Sequence, residues 1–237
     1  MKLIVTGATG FVGSEVIRQA LRHARVSSVV AVARKPVSLD GAVDTSKLKT
    51  IVIKDYAEYS DEAKKEFADA DACIWTVAIT PSKSKKQDPL EVKRVCQEST
   101  IAGLKAMHDA GPAKPFRFLY MSGVAAERDQ SKTPTFMPEY TKMRGETENQ
   151  VLAFAAGHKD EGFEASVAKP GLITDGSWYK AAVSFALKYT NIVPSVSVEE
   201  VAAAMLQQVV DGFEKDPLEN ADLIRLGKAA MQQQVKS

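Results

Sequence analysis

Several features that would each point to a function class are scarce in this chain. It has two cysteines, Cys73 and Cys96, in 237 residues, too few for the disulfide framework of a small secreted domain. Cys73 lies in an apolar run and Cys96 in a helix-like segment, so both read as buried thiols of a reducing compartment. Neither sign of charge dominates. Lys and Arg total 31 against 30 for Asp and Glu, which gives no general attraction to nucleic acid or an anionic membrane. No apolar run reaches the roughly 20 residues needed to cross a bilayer. Internal repeats and low-complexity linkers are missing too. His23, His108 and His158 occupy separate segments with no Cys or carboxylate at ligand spacing, so no metal site is expected. Strand-like residues begin at Lys2, leaving no room for a cleaved signal or transit peptide. The expectation is a cytoplasmic protein.

What the chain does contain is alternation. The runs KLIVT (2–6), SVVAVA (28–33), KTIVI (49–53), ACIWTV (72–77), FRFLYM (116–121) and FEASVAK (163–169) are strand-like. Amphipathic helical patterns lie between them, near 12–24, 60–69, 88–110 and 138–157. Nearly continuous apolar strands separated by helices predict a parallel sheet covered on both faces, wound as a doubly wound α/β Rossmann-type fold. The whole chain, 1–237, reads as one domain. Residues 1–170 would form a nucleotide-binding core and 171–237 a small C-terminal lobe over the carboxyl edge of the sheet. In that lobe SWYKAAVSFALKY suggests a helix. SVEEVAAAMLQQVVDGF carries a capping box from Ser197 to Glu200, and ADLIRLG suggests a late strand.

The first strand runs into TGATGFVG, residues 6–13. A strand that ends at Gly7 and turns into a helix near Phe11 aims main-chain N–H groups from the stretch Thr9, Gly10, Phe11, Val12 and Gly13 at one point. That point carries the partial positive charge of a helix N-terminus and suits a pyrophosphate. Gly7 would permit the turn, Gly10 the approach of phosphate, and Gly13 close packing of helix on strand. No Lys separates Gly13 from Ser14, which argues against the phosphate loop of nucleoside triphosphatases. About 20 residues further on, an NAD-binding fold usually carries an acid for the ribose hydroxyls. Here Arg34 and Lys35 end the second strand. Cations at that place suit a 2′-phosphate, so NADP(H) is the expected cofactor. Asp55, past the third strand, is a candidate partner for the adenine amino group. Thr76, Val77 and Ala78, at the end of the fourth, would flank the nicotinamide ribose.

With TGATGFVG, Arg34, YMSG (120–123), YTKMRGETE (140–148) and KPGLI (169–173), the chain resembles the short-chain dehydrogenase/reductase superfamily. The likeness is to its atypical branch and the small Tat-interacting oxidoreductase-like proteins. The resemblance implies that Ser122 orients a substrate carbonyl, that Tyr140 transfers a proton, and that Pro170 and Gly171 close over the nicotinamide. The Lys that family places four residues after the Tyr is Arg144 here. A cation at that spacing shares a helical face with the Tyr and would lower its pKa. A guanidinium, however, cannot relay a proton.

Three readings follow. The first is an NADP(H)-dependent oxidoreductase for a small carbonyl or alcohol, the second a non-catalytic NADP(H) sensor with a protein partner, and the third a non-redox isomerase or cyclase. Trp178, Tyr179, Phe185 and Tyr189 are candidates to line a pocket for an apolar or aromatic substrate. No nucleic-acid or membrane partner is expected, and a homodimer stays open.

Overall fold

The computed structural model of the chain describes residues 1–39, 44–175 and 194–236. Six runs of apolar, β-branched and aromatic residues form the strands Lys2–Thr6 (β1), Ser28–Ala33 (β2), Leu48–Val52 (β3), Ala72–Trp75 (β4), Phe116–Met121 (β5) and Phe163–Lys169 (β6). These are the residue types that pack best on a pleated surface. Three short strands follow: Leu172–Thr174 (β7), Ser195–Ser197 (β8) and Leu218–Glu219 (β9). The main sheet runs β3-β2-β1-β4-β5-β6-β9, with every neighbouring pair parallel. β7 and β8 pair separately. This is the expected Rossmann-type α/β architecture.

The crossovers supply the helices Phe11–Arg22 (α1), Asp61–Phe67 (α2), Pro81–Ser84 (α3), Pro89–Lys93 (α4), Ser99–Asp109 (α5), Pro138–Gly157 (α6), Val198–Asp211 (α7) and Asn220–Lys236 (α8). Alternating strand residues divide the core into two. Leu3, Val5, Ala72, Ile74 and Leu119 meet Val16 and Ile17 of α1 and Val201 and Met205 of α7 on one face. Ile4, Cys73, Trp75, Phe118 and Tyr120 meet Phe67, Leu104, Met107 and Val151 on the other. Each such fully buried aliphatic side chain is worth about 1.5–3 kcal/mol of transfer free energy. Both cysteines are buried free thiols, as expected.

Three details differ from the sequence reading. The helix expected over 88–110 is broken by a π-turn at Arg94–Glu98, where the Cys96 sulfur accepts the Ile79 N–H at 3.2 Å. The strand expected at ADLIRLG is the first part of α8, and the strand before it is only β9. The described part of the C-terminal third also belongs to the main layers. β9 extends the sheet beside β6, and α7 and α8 supply core residues next to α1. α7 does begin with the expected capping box: Ser197 Oγ accepts the Glu200 N–H, and a Glu200 carboxylate oxygen accepts the Ser197 N–H, both at 3.1 Å. The helix suggested at SWYKAAVSFALKY, with Trp178, Tyr179, Phe185 and Tyr189, lies outside the described residues.

Candidate active site

Strand order reverses between β1 and β4, and the crevice beyond their carboxyl ends is where open α/β sheets bind ligands. The glycine corner lies there. Gly7 has φ +68°, a conformation that side chains disfavour. A Cβ on Gly13 would fall 2.3 Å from the Gly7 carbonyl oxygen, so this glycine lets α1 close onto the strand end. Thr76, just past β4, closes the other side, its hydroxyl donating to the Thr6 carbonyl at 2.7 Å.

Gly10 differs from both. It is exposed and N-caps α1 without a side-chain cap, and the first turn holds no acidic residue. The Gly10 N–H bonds back to the Gly7 carbonyl at 2.8 Å. The first N–H groups of α1 have no acceptor within the helix. With no acidic residue in that turn, their positive field faces outward past exposed Thr9, Gly10 and Phe11, while Val12 is buried. A dinucleotide's diphosphate fits this corner in charge and in donor chemistry.

At the end of β2, Arg34 and Lys35 are exposed and make no ion pair among the described residues. Arg34 acts at longer range on Asp55, whose carboxyl is held below its usual pKa. The Ala57 N–H is the main cause, donated at 2.9 Å, with help from Arg94 and Arg34. Asp55 is therefore already engaged, because Arg94 pairs with it while also gripping Glu91 through two bonds of 2.7 Å. Any adenine contact would have to share that carboxylate. Arg94, which sequence reasoning passed over, is a second cation acting on Asp55 along with Arg34.

The opposite end of the crevice is built from side chains. Tyr140, in the first turn of α6, donates its hydroxyl to the Ile79 carbonyl at 2.8 Å, tying α6 to the segment after β4. Arg144 lies one turn on, is 3% exposed, and donates to the Met121 carbonyl at 2.8 Å. Its guanidinium lies 4.9 Å from the centre of the Tyr120 ring. Burial raises the Tyr140 pKa, and the opposing pull of Arg144 does not overcome it. The expected net lowering is thus reversed: desolvation of the phenolate outweighs the neighbouring cation. Ser122 Oγ and one Arg144 terminal nitrogen are buried with no hydrogen-bond partner among the described residues. Val77 and Ala78 continue the segment from Thr76 to Ile79, Val77 being buried. The Pro170 carbonyl accepts the Val124 N–H at 3.0 Å, and the Gly171 N–H donates to Asn220 at 2.8 Å.

The NAD(P)H-binding family matches residues 7–211. The chain belongs to it. Its fold is that of the short-chain dehydrogenase/reductase proteins. Over nearly its full length the chain is similar to the protein FMP52, mitochondrial, of Candida albicans, with 21% identity across 97% of this chain and 99% of that one. A shorter match, 36% identical, is to leucinostatins biosynthesis cluster protein T of Purpureocillium lilacinum. It covers 32% of this chain and only 27% of that protein. Among solved structures, MoeE5 in complex with UDP-glucose and NAD superposes with a TM-score of 0.67 at 20% identity, covering 92% of this chain and 74% of that one. Among the described residues no helix is long and apolar enough to cross a membrane.

Two depressions lie away from the crevice. One, of about 470 Å³, borders Arg117, Leu152 and Phe163 near the amino ends of β5 and β6. The other, of about 340 Å³, borders Thr174, Ser197 and Lys228. Neither touches the glycine corner. His108 and His158, read as isolated, are in ring contact at 4.4 Å.

Proposed function

We propose that the protein is an NADP(H)-dependent reductase of small carbonyl compounds. One observation carries the cofactor reading: an uncapped helix N-terminus with no acid in its first turn stands beside a strand end whose Arg34 and Lys35 are exposed and make no ion pair among the described residues. Main-chain N–H groups from Thr9 to Gly13 would hold the diphosphate and Arg34 the 2′-phosphate. Thr76, Val77, Ala78, Pro170 and Gly171 would border the nicotinamide end, which supplies hydride when the cofactor is bound.

Burial keeps the Tyr140 phenol protonated through neutrality, which is compatible with a role as proton donor. A phenol kept protonated at neutral pH serves as an acid, so it suits delivery of a proton to the oxygen of a carbonyl being reduced. Ser122, whose hydroxyl has no partner among the described residues, would orient that oxygen. Tyr140 would exchange the Ile79 carbonyl for the substrate. Arg144 would hold the β5 end and bias the site electrostatically, without touching the transferred proton.

Fluorescence titration with NADPH and NADH tests the cofactor reading. Loss of a charge-assisted contact worth about 1.5–3 kcal/mol predicts that Arg34→Ala weakens NADPH binding about 10- to 100-fold. NADH binding should change little. Equal affinity of the unaltered protein for the two coenzymes would overturn the assignment.

A second reading, an NADP(H) sensor without turnover, is favoured by the internal bonds of Tyr140 and Arg144. Coenzyme binding without turnover across a broad carbonyl panel would decide for it. A net non-redox isomerase or cyclase draws support from the likeness to a structure holding UDP-glucose and NAD. An apolar or aromatic substrate rests on Trp178, Tyr179, Phe185 and Tyr189. The homodimer and the cytoplasmic location remain part of the proposal, to be checked by sedimentation and cell fractionation.

A further inference from the structure

At the amino-terminal edge of the sheet, away from the crevice, three metal-ligating side chains meet. His108 is in the last turn of α5, His158 caps α6, and Glu161 lies in the 3-10 turn Lys159–Glu161 that leads into β6. Each offers a ligand atom, and these atoms all lie within 4.8 Å of one another.

The nitrogen chemistry of the two rings is specific. His158 Nδ1 is 2.8 Å from the Phe154 carbonyl, so it carries the proton and leaves Nε2 with a lone pair. His108 Nδ1 is 3.2 Å from the Asp109 carboxylate, and its Nε2 is 3.2 Å from the Glu161 carboxylate. A neutral imidazole can donate to only one of these. With the proton on Nδ1, the Nε2 lone pair faces a carboxylate lone pair, and only a cation between them makes that contact favourable. The rings are held in place, His158 stacked on Phe154 at 4.1 Å and His108 edge-on to it at 5.4 Å.

We propose that His108, His158 and Glu161 form a zinc site, with Asp109 and the Phe154 carbonyl orienting the two imidazoles. Zinc bonds of about 2.0–2.1 Å put neighbouring tetrahedral ligands about 3.3 Å apart. The His108–Glu161 pair already has that spacing. No other pair has to close by more than about 1.5 Å, which small rotations of the half-exposed Glu161 side chain and of the imidazoles would supply. Two imidazoles and one carboxylate suit zinc over magnesium or calcium, and water would complete the tetrahedron. Zinc here would clamp the ends of α5 and α6 to the start of β6. The site lies at the opposite strand ends from the crevice, and it does not depend on the proposed reaction.

The test is calorimetric titration of the chelator-treated full-length protein with zinc chloride, with a melting curve at each metal level. One zinc per chain and a zinc-dependent rise in Tm are expected. Glu161→Gln should weaken binding at least tenfold and remove the rise in Tm. That side chain is half-exposed, so the variant should stay folded. His158→Asn, which loses Nε2, should do the same. No saturable zinc binding, or the same zinc affinity in both variants as in the unaltered chain, would overturn the proposal. In that case the His108–Glu161 contact is an ordinary hydrogen bond.

Discussion

The two ends of the crevice are made differently. The glycine corner is main chain with almost nothing attached: positive φ at Gly7, an uncapped helix start at Gly10 and no acid in the first turn. Around Tyr140 the groups are side chains, and their state is mixed: Tyr140 bonds the Ile79 carbonyl and one Arg144 nitrogen the Met121 carbonyl, while Ser122 Oγ and the other Arg144 terminal nitrogen have no partner among the described residues. A site that waits for a ligand shows unused donors. One that must exchange partners to act shows used ones. The comparison therefore supports dinucleotide binding more directly than it supports a particular reaction.

The largest effects on stability should come from within the glycine corner, and they split by position. Gly13→Val drives carbon into the Gly7 carbonyl oxygen, which a Cβ alone would meet at 2.3 Å. Backbone on both sides leaves little room to yield, so overpacking should cost about 3 kcal/mol or more. At about 2–4 °C per kcal/mol for a chain of this size, Tm should fall by roughly 6–12 °C. Gly10→Ala places its methyl 3.0 Å from the same oxygen but on the exposed side. It should cost under about 1 kcal/mol of stability while weakening coenzyme binding at least tenfold. Calorimetric melting beside NADPH titration reads both. If Gly10→Ala binds normally, the corner is a packing device only.

The large effect on turnover belongs to Tyr140→Phe. Removal of a general acid lowers turnover by about 10²–10⁴-fold, and coenzyme affinity should move far less. The pH dependence makes the test sharper. Because the phenol's pKa is raised, the reduction rate should be level through neutrality and fall only above about pH 10, where an ordinary Tyr titrates. Burial also favours the folded state as long as this phenol stays neutral. That contribution is complete below about pH 10 and fades as pH rises through the elevated folded value. A rate that falls with pH between 7 and 9, in step with loss of the phenol proton, would mean that the cation wins in the bound state and that the Arg144 departure is harmless.

How far the sequence could lead depended on the kind of interaction. β1, β2 and β4 were legible because they are buried on both faces and so carry nearly unbroken apolar runs; β3 is exposed at Lys49, Thr50 and Val52 and was legible only from its β-branched residues. ADLIRLG was misread because its alternation looks period-two over a few residues. The buried set Leu223, Leu226 and Ala230 follows helical spacing. β9, two residues long, has no pattern to detect and exists through its pairing with β6. The glycines could be assigned because the turn geometry is local. Contacts between distant segments could not: Tyr140 bonds a carbonyl 61 residues away, Asp55 an arginine 39 away, and His108 faces a carboxylate 53 away. The sign of the Tyr140 shift was missed for the same reason, since burial is a property of the assembled fold.

The smallest effect belongs to Arg94→Ala, and it probes the boundary between the two ends. The Arg94–Asp55 pair is about one-third exposed on each side, 36% and 32%, so its loss should cost only about 0.2–1 kcal/mol of stability. The consequence for ligand choice should be clearer. Freed of Arg94, the Asp55 carboxylate becomes an unbalanced negative charge near Arg34, which already acts on it. NADPH, with its extra phosphate, should bind about three- to tenfold less tightly, a change of roughly 0.6–1.4 kcal/mol. NADH should be affected less, because it brings no charge to that pocket. Parallel titrations with the two coenzymes measure the ratio. If it stays unchanged, Asp55 and Arg94 lie outside the field felt by the 2′-phosphate, and discrimination rests on Arg34 and Lys35 alone.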